Sequence, residues 1–100
     1  MAKRKFKPVH PGVTLEQDFL GPLGVSQYRL AKAIDVPPRR INEIVRGRRS
    51  ITADTALRMG KFFGVEAQFW MNLQSHYDLE IARDEIATEL EREVQVLKAA

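Results

Sequence analysis

Arg39, Asn42, Glu43 and Arg46 stand at i, i+3, i+4 and i+7, a spacing that gathers four polar side chains onto one face of a helix. Their chemistry suits the reading of base edges in a major groove. Arginine can bond guanine O6 and N7 through two parallel N–H groups, asparagine can pair with adenine N6 and N7, and glutamate can accept from cytosine N4. A solvated face of any surface helix can carry the same residues, so the surrounding chain has to choose between the two readings. Ile41, Ile44 and Val45 point the other way and supply the buried side.

The elements that must hold this face run from Ser26 to Arg46. Leu30, Ala31 and Ile34 make an apolar stripe on a preceding helix, with small Ala31 where the two helices come close. Asp35 can take the left-handed backbone of a sharp turn, and Val36 is apolar enough to tuck beneath it. A residue before proline is driven out of the α region. Val36 and Pro37 are therefore expected to be extended, and Pro38 to be the first residue of the second helix, with no side-chain N-cap. Two short helices joined by a tight turn form a helix-turn-helix, and the second is its reading helix.

Phosphate contacts would position such a helix without reading sequence. Ser26 serves as N-cap of the first helix, with a hydrophobic staple from Val25 to Leu30, and Gln27 then sits in the first turn beside N–H groups that can hold an anion. Gly47 caps the reading helix at its far end. Arg48 and Arg49 follow it, and with Gln27 and Arg40 they are the candidate phosphate contacts; ordinary helix-end polarity and a solvated charge run are the competing explanations.

Charge supports the DNA reading. Residues 1–50 hold eleven Lys or Arg against four Asp or Glu, a net +7, whereas residues 51–100 hold five against nine, a net −4. The basic half contains the helix-turn-helix, so phosphate attraction and base reading would act at one surface. One hundred residues allow a single domain, and the absence of cysteine fits a reducing cytoplasm and excludes a thiolate zinc cluster. No apolar run approaches the ~20 residues of a membrane span. A cytoplasmic protein without cofactor or metal is expected.

Along the chain, residues 1–8 read as a flexible basic arm whose cations either reach phosphate or keep the chain soluble. From His10 to Leu20 a short helix is expected, with Pro11 near its start, Leu15, Phe19 and Leu20 inward, and Gly21, Pro22 and Gly24 breaking it. His10 is expected to be structural. Thr52 caps a later helix, whose buried face is expected to hold Ala56, Leu57, Gly60 and Phe63 before Gly64 ends it. A further helix starts near Glu66 and carries Phe69, Trp70, Leu73 and Tyr77 as core. Its continuation, residues 79–100, is an acidic amphipathic tail with a narrow seam of Leu79, Ala82, Ile86, Leu90, Val94 and Leu97. So narrow a seam needs a cover, from the domain, a second copy or another protein.

From Val9 to Leu79 the sequence resembles the HigA-type antitoxins of bacterial toxin-antitoxin systems. The resemblance rests on His10-Pro11-Gly12, Pro22-Leu23-Gly24, Ser26-Gln27, Arg40-Ile41-Asn42-Glu43-Ile44-Val45, Gly47 with Arg48, Ile51 to Leu57, and Phe69-Trp70 with Asn72-Leu73-Gln74. It departs from the wider pattern at Asp35, where glycine is common, and at Val65 to Gln68. It implies an all-α, five-helix, Cro/repressor-like domain, here at residues 9–78, followed by the helical tail. It further implies a homodimer that binds operator DNA upstream of its own gene and neutralises a small, basic, RNA-cleaving toxin. A stand-alone repressor and a protein-interaction module are the alternatives. An enzyme is not expected, because the nearest constellation, His76 with Glu80 at i, i+4, supplies only two ligands where a metal site takes three or four.

Overall fold

The computed structural model describes residues 7–98, so the expected arm falls outside them except for Lys7 and Pro8. Among the described residues the architecture is all-helical. The first helical stretch, α1, covers residues 11–23: it is α-helical at Pro11–Thr14, π-helical at Leu15–Leu20 and α-helical again at Gly21–Leu23. Then come α2 (Gln27–Ala33), α3 (Pro38–Val45), α4 (Ala53–Phe63) and the long α5 (Ala67–Glu93). Helix α1 packs on α3 and α5, α2 on α3, and α4 on α5.

The expected starts hold because each has a named donor or constraint. His10 Nδ1 accepts from the Gly12 N–H at 2.9 Å, Ser26 Oγ accepts from Arg29 N at 3.0 Å, and Thr52 Oγ1 accepts from Thr55 N at 3.4 Å. Pro37 is extended (φ −60°, ψ 139°), Pro38 opens α3, and no side chain caps it. Asp35 adopts φ 59°, the left-handed turn conformation expected of it. Gly21 and Pro22, in contrast, do not break α1. The π-helical run shifts the Gly21 N–H to the Glu16 carbonyl just before the proline, so the chain absorbs Pro22's missing donor and continues to Leu23. Gly24, at φ 65°, is what ends it.

The core is formed by Leu15, Leu20, Leu30, Ala31, Ile41, Ile44, Ile51, Ala56, Met59 and Trp70, all nearly inaccessible. Phe19, Phe63 and Trp70 stack at tilted angles, Phe19 lying 4.8 Å from Trp70 and 5.0 Å from Phe63 between ring centroids. Leu57, expected inward, is 65% exposed, and Met59 takes the buried place. The face of α4 is rotated because Thr55, Ala56, Met59 and Gly60 are the residues that meet the neighbouring helices. A Cβ at Gly60 would stand 2.6 Å from the Val65 carbonyl oxygen, so the turn into α5 passes against bare backbone.

The tail departs from a continuous helix. Helix α5 bends at Ile86 (φ −112°, ψ 16°) and ends at Glu93, where Val94 turns extended. Val94 and Leu97 therefore lie beyond the helix, while Leu79, Ala82, Ile86 and Leu90 remain on it. All six seam residues are exposed. The radius of gyration, 17.0 Å, exceeds the ~13 Å of a compact domain of this length because the distal half of α5 projects from the core.

Candidate nucleic-acid interface

Helix α3 is held by its apolar side. Ile41 and Ile44 are fully buried, and α1 meets α3 so closely that a Cβ on Gly12 would lie 1.9 Å from the Ile44 carbonyl oxygen. Packing on both α1 and α2 leaves Arg39, Asn42, Glu43 and Arg46 on the remaining face, where Arg39 and Arg46 are exposed and Asn42 and Glu43 half-buried.

These four side chains are not equivalent. Arg39 Nε bonds Glu43 Oε2 at 3.0 Å, with the Arg39 side chain 85% exposed and that of Glu43 26%. Arg49 closes on the other carboxylate oxygen, Nη2 standing 2.7 Å and Nε 2.8 Å from Glu43 Oε1. Those two arginine hydrogen bonds hold the Glu43 carboxyl below its usual pKa, the Arg49 bond first and the Arg39 bond second. Asn42 Nδ2 donates to Gln27 Oε1 at the start of α2. Among the described residues, Gln27 Nε2 and the second Asn42 amide hydrogen have no further partner.

The candidate phosphate contacts divide. Arg48 and Arg49 lie exposed on the loop after Gly47 (φ 74°), and among the described residues Arg46 and Arg48 make no ion pair. Arg40 turns toward α4 and bonds Asp54 Oδ2 through Nη1 at 3.2 Å, its side chain 29% exposed. Exposed Tyr28, Arg29 and Lys32 add an aromatic-basic patch on α2, with the Lys32 ammonium 5.8 Å from the Tyr28 ring centroid. In a helix-turn-helix the first helix crosses the DNA backbone, which suits this patch. The local charge of Arg29 and Lys32 was the available sequence signal.

Three further residues brace the interface. Arg58 donates from Nη1 to the Ile34 carbonyl oxygen at 2.9 Å, capping the end of α2 at the turn, and its Nε bonds Asp54 at 3.1 Å. The i, i+4 pairing of Asp54 with Arg58 is legible in sequence; the reach to Ile34 is not. Gln74, 4% exposed, accepts from the Ile51 N–H at 2.7 Å through Oε1 and donates to Asp78 Oδ1 at 2.9 Å. That pins the end of the arginine loop to α5. His10 lies edge-on to Tyr77 at 4.9 Å and beside Gly47, so its expected structural role extends to the same loop. Burial lowers its pKa, against opposing effects from the Asp78 charge and a backbone hydrogen bond with Arg49.

His76 Nε2 and Glu80 Oε1 are 4.0 Å apart, and no cluster of three or more potential metal ligands occurs among the described residues. No helix among them is long and apolar enough to cross a membrane.

Residues 17–70 match the family model for the helix-turn-helix. Virulence-associated protein I of Dichelobacter nodosus is 51% identical over 83 residues, covering 83% of this chain and 77% of that protein. The solved structure of Pseudomonas aeruginosa antitoxin HigA with the higBA promoter superposes with a TM-score of 0.88 at 43% identity, covering 91% of this chain and 99% of that one. Antitoxin GraA in complex with its operator gives the same TM-score at 35% identity, with 99% and 100% covered. With five helices among the described residues, an exposed α3 face and the arginine loop, the chain belongs to the helix-turn-helix family and, within it, to the HigA-type antitoxins.

Proposed function

We propose that this protein binds a two-fold operator as a homodimer, represses its own operon and neutralises a small basic RNA-cleaving toxin. The observation that carries the DNA part is the outward face of α3 with the arginine loop beside it. Arg39 and Asn42 read base edges near the start of the helix, and Arg46 extends the reading face by a turn. Gln27 Nε2, Arg48 and Arg49 hold phosphates, with Arg40 adding the edge that Asp54 leaves open. The HigA and GraA structures contain promoter and operator DNA respectively, which supports the same partner here.

The exposed seam of Leu79, Ala82, Ile86 and Leu90, continued by Val94 and Leu97, supports a protein partner for the tail. A second copy covering it would present two reading helices about 34 Å apart, one turn of DNA. The acidic residues between Glu80 and Glu93 supply charge complementary to a basic toxin.

Two substitutions test the DNA part. Arg39→Ala is expected to cost about 1–3 kcal/mol on the specific site and to relax preference at one base pair. Arg48→Ala is expected to weaken specific and random duplexes alike, and to flatten log affinity against log salt by about one unit per subunit contact. Equilibrium titrations over a salt series measure both. Equal losses on both duplexes for Arg39→Ala, with altered sequence preference for Arg48→Ala, would show the reading face to be misplaced.

A further inference from the structure

Glu43 occupies the middle of the reading face, where a glutamate able to accept from cytosine N4 would be a base contact in its own right. Its surroundings argue for a different task. Each carboxylate oxygen already accepts charge-assisted hydrogen bonds, Oε2 from Arg39 and Oε1 from two nitrogens of Arg49. The carboxylate is also the more sheltered partner, 26% exposed against 85% for the Arg39 side chain, so it lies beneath the guanidinium that DNA would meet first.

The geometry points to Glu43 as a positioning residue that aims Arg39 at a guanine and Arg49 at the neighbouring phosphate, rather than as a reader of cytosine; this rests on the DNA-reading function proposed above. Bonding through Nε leaves the two terminal amino groups of Arg39 as an end-on fork, the arrangement that matches guanine O6 and N7. A free arginine on an exposed helix must surrender its rotamers on binding. One already tied at Nε loses fewer, and its fork is held to one direction. Arg49 lies six residues later on the loop, so a single carboxylate links the base-reading residue to a backbone-contacting residue. Two arginines on one carboxylate leave the cluster with a net single positive charge, which tempers indiscriminate attraction to phosphate.

The same charge count separates this role from base reading. Removing the carboxylate frees two cations, so binding to random duplex should strengthen while discrimination at Arg39's base pair collapses. A cytosine reader would lose discrimination at its own base pair and leave that of Arg39 intact.

The experiment starts from the full chain. A preferred duplex is selected by the wild-type protein from a random-sequence pool, and every single base-pair substitution of that duplex is then titrated. Wild type, Glu43→Gln, Glu43→Ala, Arg39→Ala and the Arg39→Ala/Glu43→Ala double variant are compared, with thermal melts to verify that each is folded. Glu43→Ala is expected to reduce preference about tenfold at the base pair that Arg39→Ala affects. The double variant should be no less selective than Arg39→Ala alone, and random-duplex binding of both Glu43 variants should steepen with salt by about one unit. Loss of preference at a different base pair, or additive losses in the double variant, would overturn the positioning role. Unchanged preference in both Glu43 variants would overturn it too. If wild type selects no preferred duplex, the DNA-reading function itself fails and the inference falls with it, an outcome distinct from the others.

Discussion

Gly12→Ala places a methyl group where no space exists. The added Cβ would lie 1.9 Å from the Ile44 carbonyl oxygen and 3.0 Å from Val45 Cα, and Cβ contacts under 3.0 Å are essentially never seen. Both neighbours are backbone, so no side chain can rotate away. Helices α1 and α3 must separate by more than 1 Å, which loosens a core to which α1 contributes Leu15 and α3 contributes Ile44, both fully buried. Overpacking of this kind costs about 1–3 kcal/mol, and a backbone-to-backbone clash belongs at the upper end. At roughly 4–8 °C per kcal/mol for a domain of this size, the melting temperature should fall by about 10–20 °C. Because α3 carries the proposed reading face, operator affinity measured well below the new melting point should fall as well. Calorimetry on wild type, Gly12→Ala and the adjacent control Val13→Ala at equal protein concentration tests this, since association would shift apparent stability. Val13 is 39% exposed, and its truncation should cost no more than about 1 kcal/mol. A Gly12→Ala protein that melts within about 2 °C of wild type would refute the claim that α1 fixes the depth of α3.

Gln74→Leu leaves the Ile51 N–H buried without an acceptor and should cost about 1–3 kcal/mol, with faster amide exchange at Ile51 and weaker DNA binding through a loosened arginine loop; protection unchanged at Ile51 would count against the brace. His10 titrates lower in the folded protein than its ordinary 6.5, so the unfolded chain takes up the proton first; its contribution is present above 6.5 and is lost as pH falls toward the folded value. His10→Asn can keep a cap but cannot titrate, so melting curves from about pH 8 to pH 5 should lose that part of their slope, and identical slopes in the two proteins would exclude His10 as its source. Deleting the residues after Arg83 should weaken self-association or toxin neutralisation while leaving the DNA-binding fold intact. Sedimentation and co-purification read this, and a truncated chain that dimerises, represses and neutralises like the full one would reduce the tail to a solvated extension.

The helix-turn-helix was legible because its signals are local. Ser26 and Thr52 cap the next turn, Pro38 suits the first position of a helix, Asp35 tolerates φ > 0, and the isoleucines of α3 repeat at helical spacing. Local rules misled at Pro22, where a π-helical run absorbed the proline, and at Leu57, whose spacing matched a buried face that Met59 fills. They also extended the tail helix to Leu97, since the 3-4 spacing of apolar residues continues past the point where the backbone becomes extended.

The sequence by itself determined which residues could face DNA, because side-chain direction along a short helix follows from residue number alone. Which of them are free to act was decided only by the tertiary structure. Arg40, Arg46 and Arg48 are one residue type in one basic stretch, yet Arg40 is drawn to Asp54 on α4 while Arg46 and Arg48 stay unpaired among the described residues. Glu43 meets Arg49 across the Gly47 turn, and Asn42 meets Gln27 from another helix, fifteen positions away. Such pairings depend on where a turn returns the chain in space, and a hydrogen bond acts only within about 3 Å, a distance that helical periodicity cannot specify between separate elements.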